Sequence, residues 1–113
     1  MGTLFYGETG TPIQVEDRTL AHLKVAIITK LRRGESFTLS WGRTVDHPAG
    51  RSTIWMHPTI PLRFMFDELE RPDLNRSWID QLMRSANSTG GIQLVEEDMT
   101  AKPAVDEREA SAT

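Results

Sequence analysis

Residues 36–41 read Ser-Phe-Thr-Leu-Ser-Trp, polar and apolar in strict alternation. A period of two puts successive side chains on opposite sides of an extended backbone. The segment therefore predicts a strand with Phe37, Leu39 and Trp41 on the covered face and Ser36, Thr38 and Ser40 on the other. Short β-prone runs at residues 3–6 and 12–15 flank Gly7-Glu8-Thr9-Gly10 and predict a hairpin. Residues 53–57 and 62–66 predict two more strands, joined through Pro58-Thr59-Ile60-Pro61, and Ile92-Gln93-Leu94-Val95 predicts a last one.

A helical period takes over at residues 18–33, where Leu20, Leu23, Ile27, Ile28 and Leu31 fall on one side. Asp17 reads as the N-cap, Gly34 supplies a left-handed C-cap, and Arg32 and Arg33 suit the negative end of the helix dipole. Arg18, His22, Thr29 and Arg33 lie opposite. That side is expected to be a solvated face, with a phosphate-contacting stripe as the sharper alternative. Lys24 projects between Leu20, Ile28 and Leu31, near the middle of the apolar arc. Its stem is expected to cover apolar surface while the ammonium reaches water; held in the interior it would be a nucleophile or base. Residues 76–87 predict a second helix, capped by Asn75 and ended by Gly90-Gly91, with Trp78, Ile79, Leu82, Met83 and Ala86 as its core stripe. Arg76, Asp80 and Arg84 stand at i,i+4 spacing on its outer side.

The order strand, strand, helix, strand thus occurs twice. It predicts an α+β fold of six short, mostly antiparallel strands in one sheet, with both helices on one face. The starts Asp17-Arg18-Thr19-Leu20 and Asn75-Arg76-Ser77-Trp78 resemble each other and raise a pseudo-duplicated ββαβ unit, although helix caps look alike everywhere.

In such a sheet Trp55, His57, Arg63 and Met65 fall on the uncovered face, with Arg43 and Arg51 in the adjoining loop of residues 42–51. Aromatic and basic side chains on a bare sheet suit stacking and phosphate contact with single-stranded nucleic acid. They suit a protein interface equally, because Trp and Arg are common interface anchors. A loop, the tail or a second subunit covering Trp55 is the third alternative.

Charge adds a boundary. The 113 residues carry a net charge of −3, but residues 1–95 are close to balanced and the excess acid lies in residues 96–113. That tail holds Glu96, Glu97, Asp98, Asp106, Glu107 and Glu109 against Lys102 and Arg108, and no aromatic residue. It is expected to be disordered, leaving residues 1–95 as one α+β domain. There is no Cys, which excludes a disulfide framework, a Cys-ligated metal and a thiol nucleophile. No apolar run approaches membrane-spanning length and no basic-then-apolar leader opens the chain, so a cytoplasmic location is expected.

Catalytic and cofactor signatures are sparse. His22, His47 and His57 lack metal-ligand spacing. Asp46, His47 and Ser52 lack the nucleophile elbow that would make them a hydrolytic triad, and neither a Walker sequence nor a dinucleotide fingerprint occurs. No cofactor and no metal is expected.

Met1-Gly2-Thr3, residues 30–37 (Lys-Leu-Arg-Arg-Gly-Glu-Ser-Phe) and residues 52–62 (Ser-Thr-Ile-Trp-Met-His-Pro-Thr-Ile-Pro-Leu) resemble a family of short actinobacterial proteins. Asn75-Arg76-Ser77-Trp78-Ile79 and Ser85-Ala86-Asn87-Ser88 continue the likeness across residues 1–95. Members are often labelled "ATP-dependent DNA ligase". A ligase adenylates a lysine within Lys-x-Asp-Gly, whereas the lysines here stand in Lys24-Val-Ala-Ile, Lys30-Leu-Arg-Arg and Lys102-Pro-Ala-Val. The resemblance therefore implies a family and a bacterial cytosolic setting and carries over no catalytic residue; its label raises the nucleic-acid reading slightly and no more.

Three functions are expected in descending order. The first is a non-enzymatic protein-interaction module, self-associating or with another protein partner, acting through Trp55, His57 and Arg63. The second is a nucleic-acid-binding accessory protein using Arg43, Arg51, Arg63 and Trp55, with the acidic tail competing for the same surface. The third is a small enzyme using Lys24 or His57.

Overall fold

A computed structural model describes residues 1–42, 49–88 and 90–94. Its elements run β1 (Gly2–Tyr6), β2 (Thr11–Val15), α1 (Asp17–Arg32), β3 (Phe37–Gly42), β4 (Arg51–Met56), β5 (Leu62–Met65), α2 (Arg76–Ala86) and β6 (Ile92–Gln93). Six strands and two helices in this order make the α+β fold that the hydrophobic pattern predicts.

The strands do not form one sheet. They divide into two of three strands, ordered β2-β1-β5 and β4-β3-β6. The break falls between β4 and β5, consecutive in sequence. The chain turns at His57–Ile60, where the Ile60 amide donates to the His57 carbonyl at 3.0 Å, and β5 leaves to pair antiparallel with β1. β3 takes β4 antiparallel on one side and β6 parallel on the other. The order of element types does repeat, but the pairing does not: β1 and β2 form a hairpin, whereas β4 and β5 belong to different sheets.

One apolar cluster joins the layers. Leu4 of the first sheet meets Leu20, Leu23, Ala26 and Ile27 of α1, Trp78, Leu82 and Ala86 of α2, and Phe37, Leu39, Met56 and Ile92 of the second sheet. The covered face of β3 is the one that its alternation predicts, and Ile54 and Met56 of β4 turn the same way.

Helix ends explain much of the local geometry. Gly34, at φ +73°, reverses the chain after α1; its amide donates to the Leu31 carbonyl at 2.9 Å and the next amide, of Glu35, to the Lys30 carbonyl at 3.2 Å. This double closure is the Schellman arrangement, and it carries the Glu35 side chain back over Lys30. At the other end Asp17 is not the N-cap. Glu16 holds that position without a side-chain cap, and the Asp17 carboxylate instead accepts from the main-chain amides of Asp67 (3.2 Å) and Glu68 (2.9 Å). A tertiary contact with two donors replaces a local contact with one. Asn75 does cap α2, its Oδ1 accepting from the Trp78 amide at 3.2 Å.

Gly91 is required by space as well as conformation. Its φ is +71°, and a Cβ there would collide with the hydroxyl and main chain of Thr38. Ser85 fastens the same corner: its hydroxyl donates to the Gly91 carbonyl (2.8 Å) and accepts from the Gln93 amide (2.6 Å), seating β6 beside β3.

Candidate functional site

The outer face of the second sheet carries the strongest candidate. Cross-strand register sets Trp55 opposite Thr38, Thr53 opposite Ser40, Arg51 opposite Gly42, and Gln93 beside Ser40 on the far strand. Because the strand period is two, Arg51, Thr53 and Trp55 share one side of β4. Trp55 is 52% exposed, whereas Trp78 is buried and Trp41 packs against the core. Beneath the indole the surface is polar and uncharged: the hydroxyls of Ser40 and Thr53 lie 2.8 Å apart in a mutual hydrogen bond, and that of Thr38 donates to the Gly90 carbonyl at 3.0 Å.

Trp55 is held from the main chain. The Tyr6 hydroxyl, carried on β1 of the other sheet, donates to the Trp55 carbonyl at 2.5 Å. β4 is an edge strand, and this bond satisfies one of its main-chain acceptors from outside its own sheet.

The remaining candidates do not converge on the indole. Arg51 is exposed at the start of β4 and is the one basic candidate on the Trp55 face among the described residues. Arg63 lies on β5, in the first sheet, with its guanidinium 5.4 Å from the centre of the Phe5 ring, its cross-strand partner. His57 follows β4 and is spent on the turn: its Nδ1 accepts from the Thr59 amide at 3.1 Å and lies 2.8 Å from the Thr59 hydroxyl. Arg43 lies outside the described residues, as do Asp46, His47 and the acidic tail.

On α1 the Lys24 side chain is exposed, as expected for an ammonium that reaches water, and that ammonium lies 5.8 Å from the centre of the Phe66 ring. The buried arc, however, runs through Leu20, Leu23, Ala26 and Ile27 rather than around Lys24. Among the described residues the buried lysine is Lys30, 5% exposed, whose ammonium donates to Glu35 Oε1 at 2.5 Å and to Asn87 Oδ1 at 2.9 Å. That bond holds the Glu35 carboxyl below its ordinary value. A charged side chain at the end of an apolar helix face can be buried when the C-cap returns a carboxylate to it; Gly34-Glu35 was the signal.

His22 corrects the expectation for the opposite side of α1. It does not lie on a solvated face but is fully buried. Its ring stacks on Trp78 with centroids 4.5 Å apart, its Nδ1 stands 2.7 Å from the Arg18 carbonyl, and its Nε2 accepts from the Asn75 amide at 2.7 Å. An amide nitrogen can only donate, so Nε2 is bare and Nδ1 carries the proton. Arg18 of the same face reaches across to the Asp73 carbonyl at 2.9 Å. The segment leading into α2 covers this side of α1 at Arg18 and His22, whereas Arg33 at its far end is exposed.

On α2 the expected charge pairs do not form: no ion pair joins Asp80 to Arg76 or Arg84, and Asp80 Oδ2 is buried without a hydrogen-bond partner. Among the described residues, no group of three or more His, Asp or Glu could hold a metal ion, and no helix is long and apolar enough to cross a membrane.

No match emerges among curated proteins or solved structures. A family model does match, over residues 1–97, a span that takes in both sheets, both helices and the Trp55 face. The chain belongs to the family described as a domain of unknown function, DUF7882.

Proposed function

We propose that this protein is a non-enzymatic binding module that takes a protein partner on the outer face of the second sheet, with Trp55 as its anchor. The observation that supports it is the half-exposed indole on the edge strand of a face whose other described side chains are short and mostly uncharged. Burying an indole from water releases about 25 cal/mol per Å² of apolar surface, and a flat rim of Thr, Ser and Gln offers hydrogen bonds without the desolvation cost of charge. A second copy of the chain is the partner tested first. Sedimentation velocity over a concentration series is expected to show association that Trp55→Ala abolishes while the circular dichroism spectrum is retained. Association unchanged in that variant removes Trp55 as the anchor.

Nucleic-acid binding is the second reading, favoured by one observation: Arg51 stands two positions along the same side of β4 from Trp55. With Arg43 added, the surface would pair one stacking platform with cations, and the acidic tail would compete for it. Against this, Arg63 is on the other sheet and engaged over Phe5. Anisotropy titrations with labelled single- and double-stranded oligonucleotides separate the two readings. Salt-sensitive binding, tightened by deleting residues 96–113, supports nucleic acid; absence of binding at low salt leaves the protein partner. An enzyme acting through Lys24 or His57 has the least support, since the one is at the surface and the other occupied in a turn.

A further inference from the structure

Residues 67–75, between β5 and α2, are fastened to α1 at both ends. At the first end Asp17 accepts the Asp67 and Glu68 amides; at the second Arg18 holds the Asp73 carbonyl and His22 Nε2 accepts the Asn75 amide. Both acceptors of these amides are ionisable, and they respond to acid in different ranges. Amides of Glu68 and Asp67 hold the Asp17 carboxyl below its ordinary value, so it stays ionised in mild acid. An imidazole that gains a proton on Nε2 loses its acceptor and points a donor at a donor.

We propose that His22 is a protonation-controlled latch for this segment: neutral, it holds the Asn75 amide against α1; protonated, it releases that amide and leaves the second end on the Arg18–Asp73 bond alone, while Asp17 retains the first end as a hinge. The latch does not depend on the binding role proposed for Trp55. The charged groups nearest in sequence to the residues that touch the ring are Asp17, Arg18 and Lys24 on its own helix, Arg71 and Asp73 in the fastened segment, and Arg76 and Asp80 in the first turns of α2. Lys30, Arg32, Asp67, Glu68, Glu70 and Arg84 lie farther along the same elements. β1, which also lies against α1, carries no charged side chain. Burial of the ring, Arg18 and the positive end of α2, capped by Asn75, all oppose the proton, and Asp73 and Asp80 favour it. Release would free the amide of the residue that caps α2 and loosen the segment that shields the His22–Trp78 stack.

The test is residue-resolved amide exchange on the full chain from about pH 7.5 to about pH 4.5, spanning the ordinary imidazole value of about 6.5, corrected for the intrinsic pH dependence of exchange. Protection of the Asn75 amide is expected to fall at least tenfold on acidification, in step with the imidazole shifts of His22. Protection at Asp67, Glu68 and the core amides of β3 is expected to persist. The variant His22→Gln, whose side-chain oxygen can accept but does not titrate, is expected to lose the pH dependence. Constant protection of Asn75 overturns the latch, and so does loss that is shared with β3, since that is global unfolding. An unchanged pH response in a folded His22→Gln chain overturns it as well. If that variant does not fold, the correspondence between His22 titration and Asn75 exchange in the native chain decides alone.

Discussion

The hydroxyl of Tyr6 and the carbonyl of Trp55 meet at 2.5 Å, joining β1 of the first sheet to the exposed edge strand of the second. The bond is solvent-accessible, so it is worth a typical net hydrogen bond, about 1 kcal/mol or less. Tyr6→Phe is expected to lower stability by that amount in urea denaturation. Because the bond fixes the strand that bears the indole, the same variant is expected to change Trp55 fluorescence in a Trp41→Phe/Trp78→Phe background without unfolding the chain. An unaltered emission and unaltered stability would show that the two sheets do not need this tie.

Gly34 and Gly91 both adopt left-handed backbone, but only one is crowded. A Cβ at Gly34 meets open space, whereas at Gly91 it runs into Thr38. Gly34→Ala is expected to cost the left-handed penalty, about 1–2 kcal/mol. Gly91→Ala adds displacement of β6 from β3 and is expected to cost roughly twice as much or more. Chemical denaturation of the two variants checks the ranking.

Lys30 and Glu35 differ in what each leaves behind. Removing the carboxylate strands a buried ammonium on Asn87 alone; replacing the lysine by an apolar residue of similar length strands nothing buried, since Glu35 is partly exposed. Glu35→Ala is therefore expected to destabilise more than Lys30→Met, the reverse of the order that burial alone suggests. Denaturation midpoints of both variants decide it.

Acid sensitivity has a defined sign. Asp17, through the amides of Glu68 and Asp67, and Glu35, through Lys30, both have carboxyls held below their ordinary values of 3.8 and 4.5. A carboxyl depressed in the folded state contributes stability that is complete above its unfolded value and is lost as pH falls through the folded one. Stability is expected to decline below about pH 4.5, and Asp17→Asn and Glu35→Gln are each expected to flatten that decline. Urea midpoints measured from neutral to acidic pH report it; equal slopes in variants and parent would contradict both assignments.

Local signals in the chain were readable where the local rule was also the winning one. Alternation at residues 36–41, the Gly34 reversal and the Asn75 cap all depend on neighbours within a few positions, and the fold keeps them. Two sheets in place of one could not be read, because nothing local to residues 57–61 says which strand β5 will join. Asp17 and His22 were misplaced for a related reason. Each has an ordinary local role, as cap and as exposed helix residue, and each is taken over by main-chain amides some fifty positions away. For Trp55 the outward orientation followed from alternation alone, while its separation from Arg63 followed from the sheet division.

The central claim is that Trp55 anchors a protein partner. It is tested most directly by placing a photo-crosslinking phenylalanine analogue at position 55 of the full chain in its native cell, with position 14, exposed on β2 of the other sheet, as the control. A crosslinked species that resists nuclease, appears at position 55 and is missing at position 14 is the predicted result. No adduct at position 55, equal adducts at both positions, or an adduct that nuclease removes would contradict it.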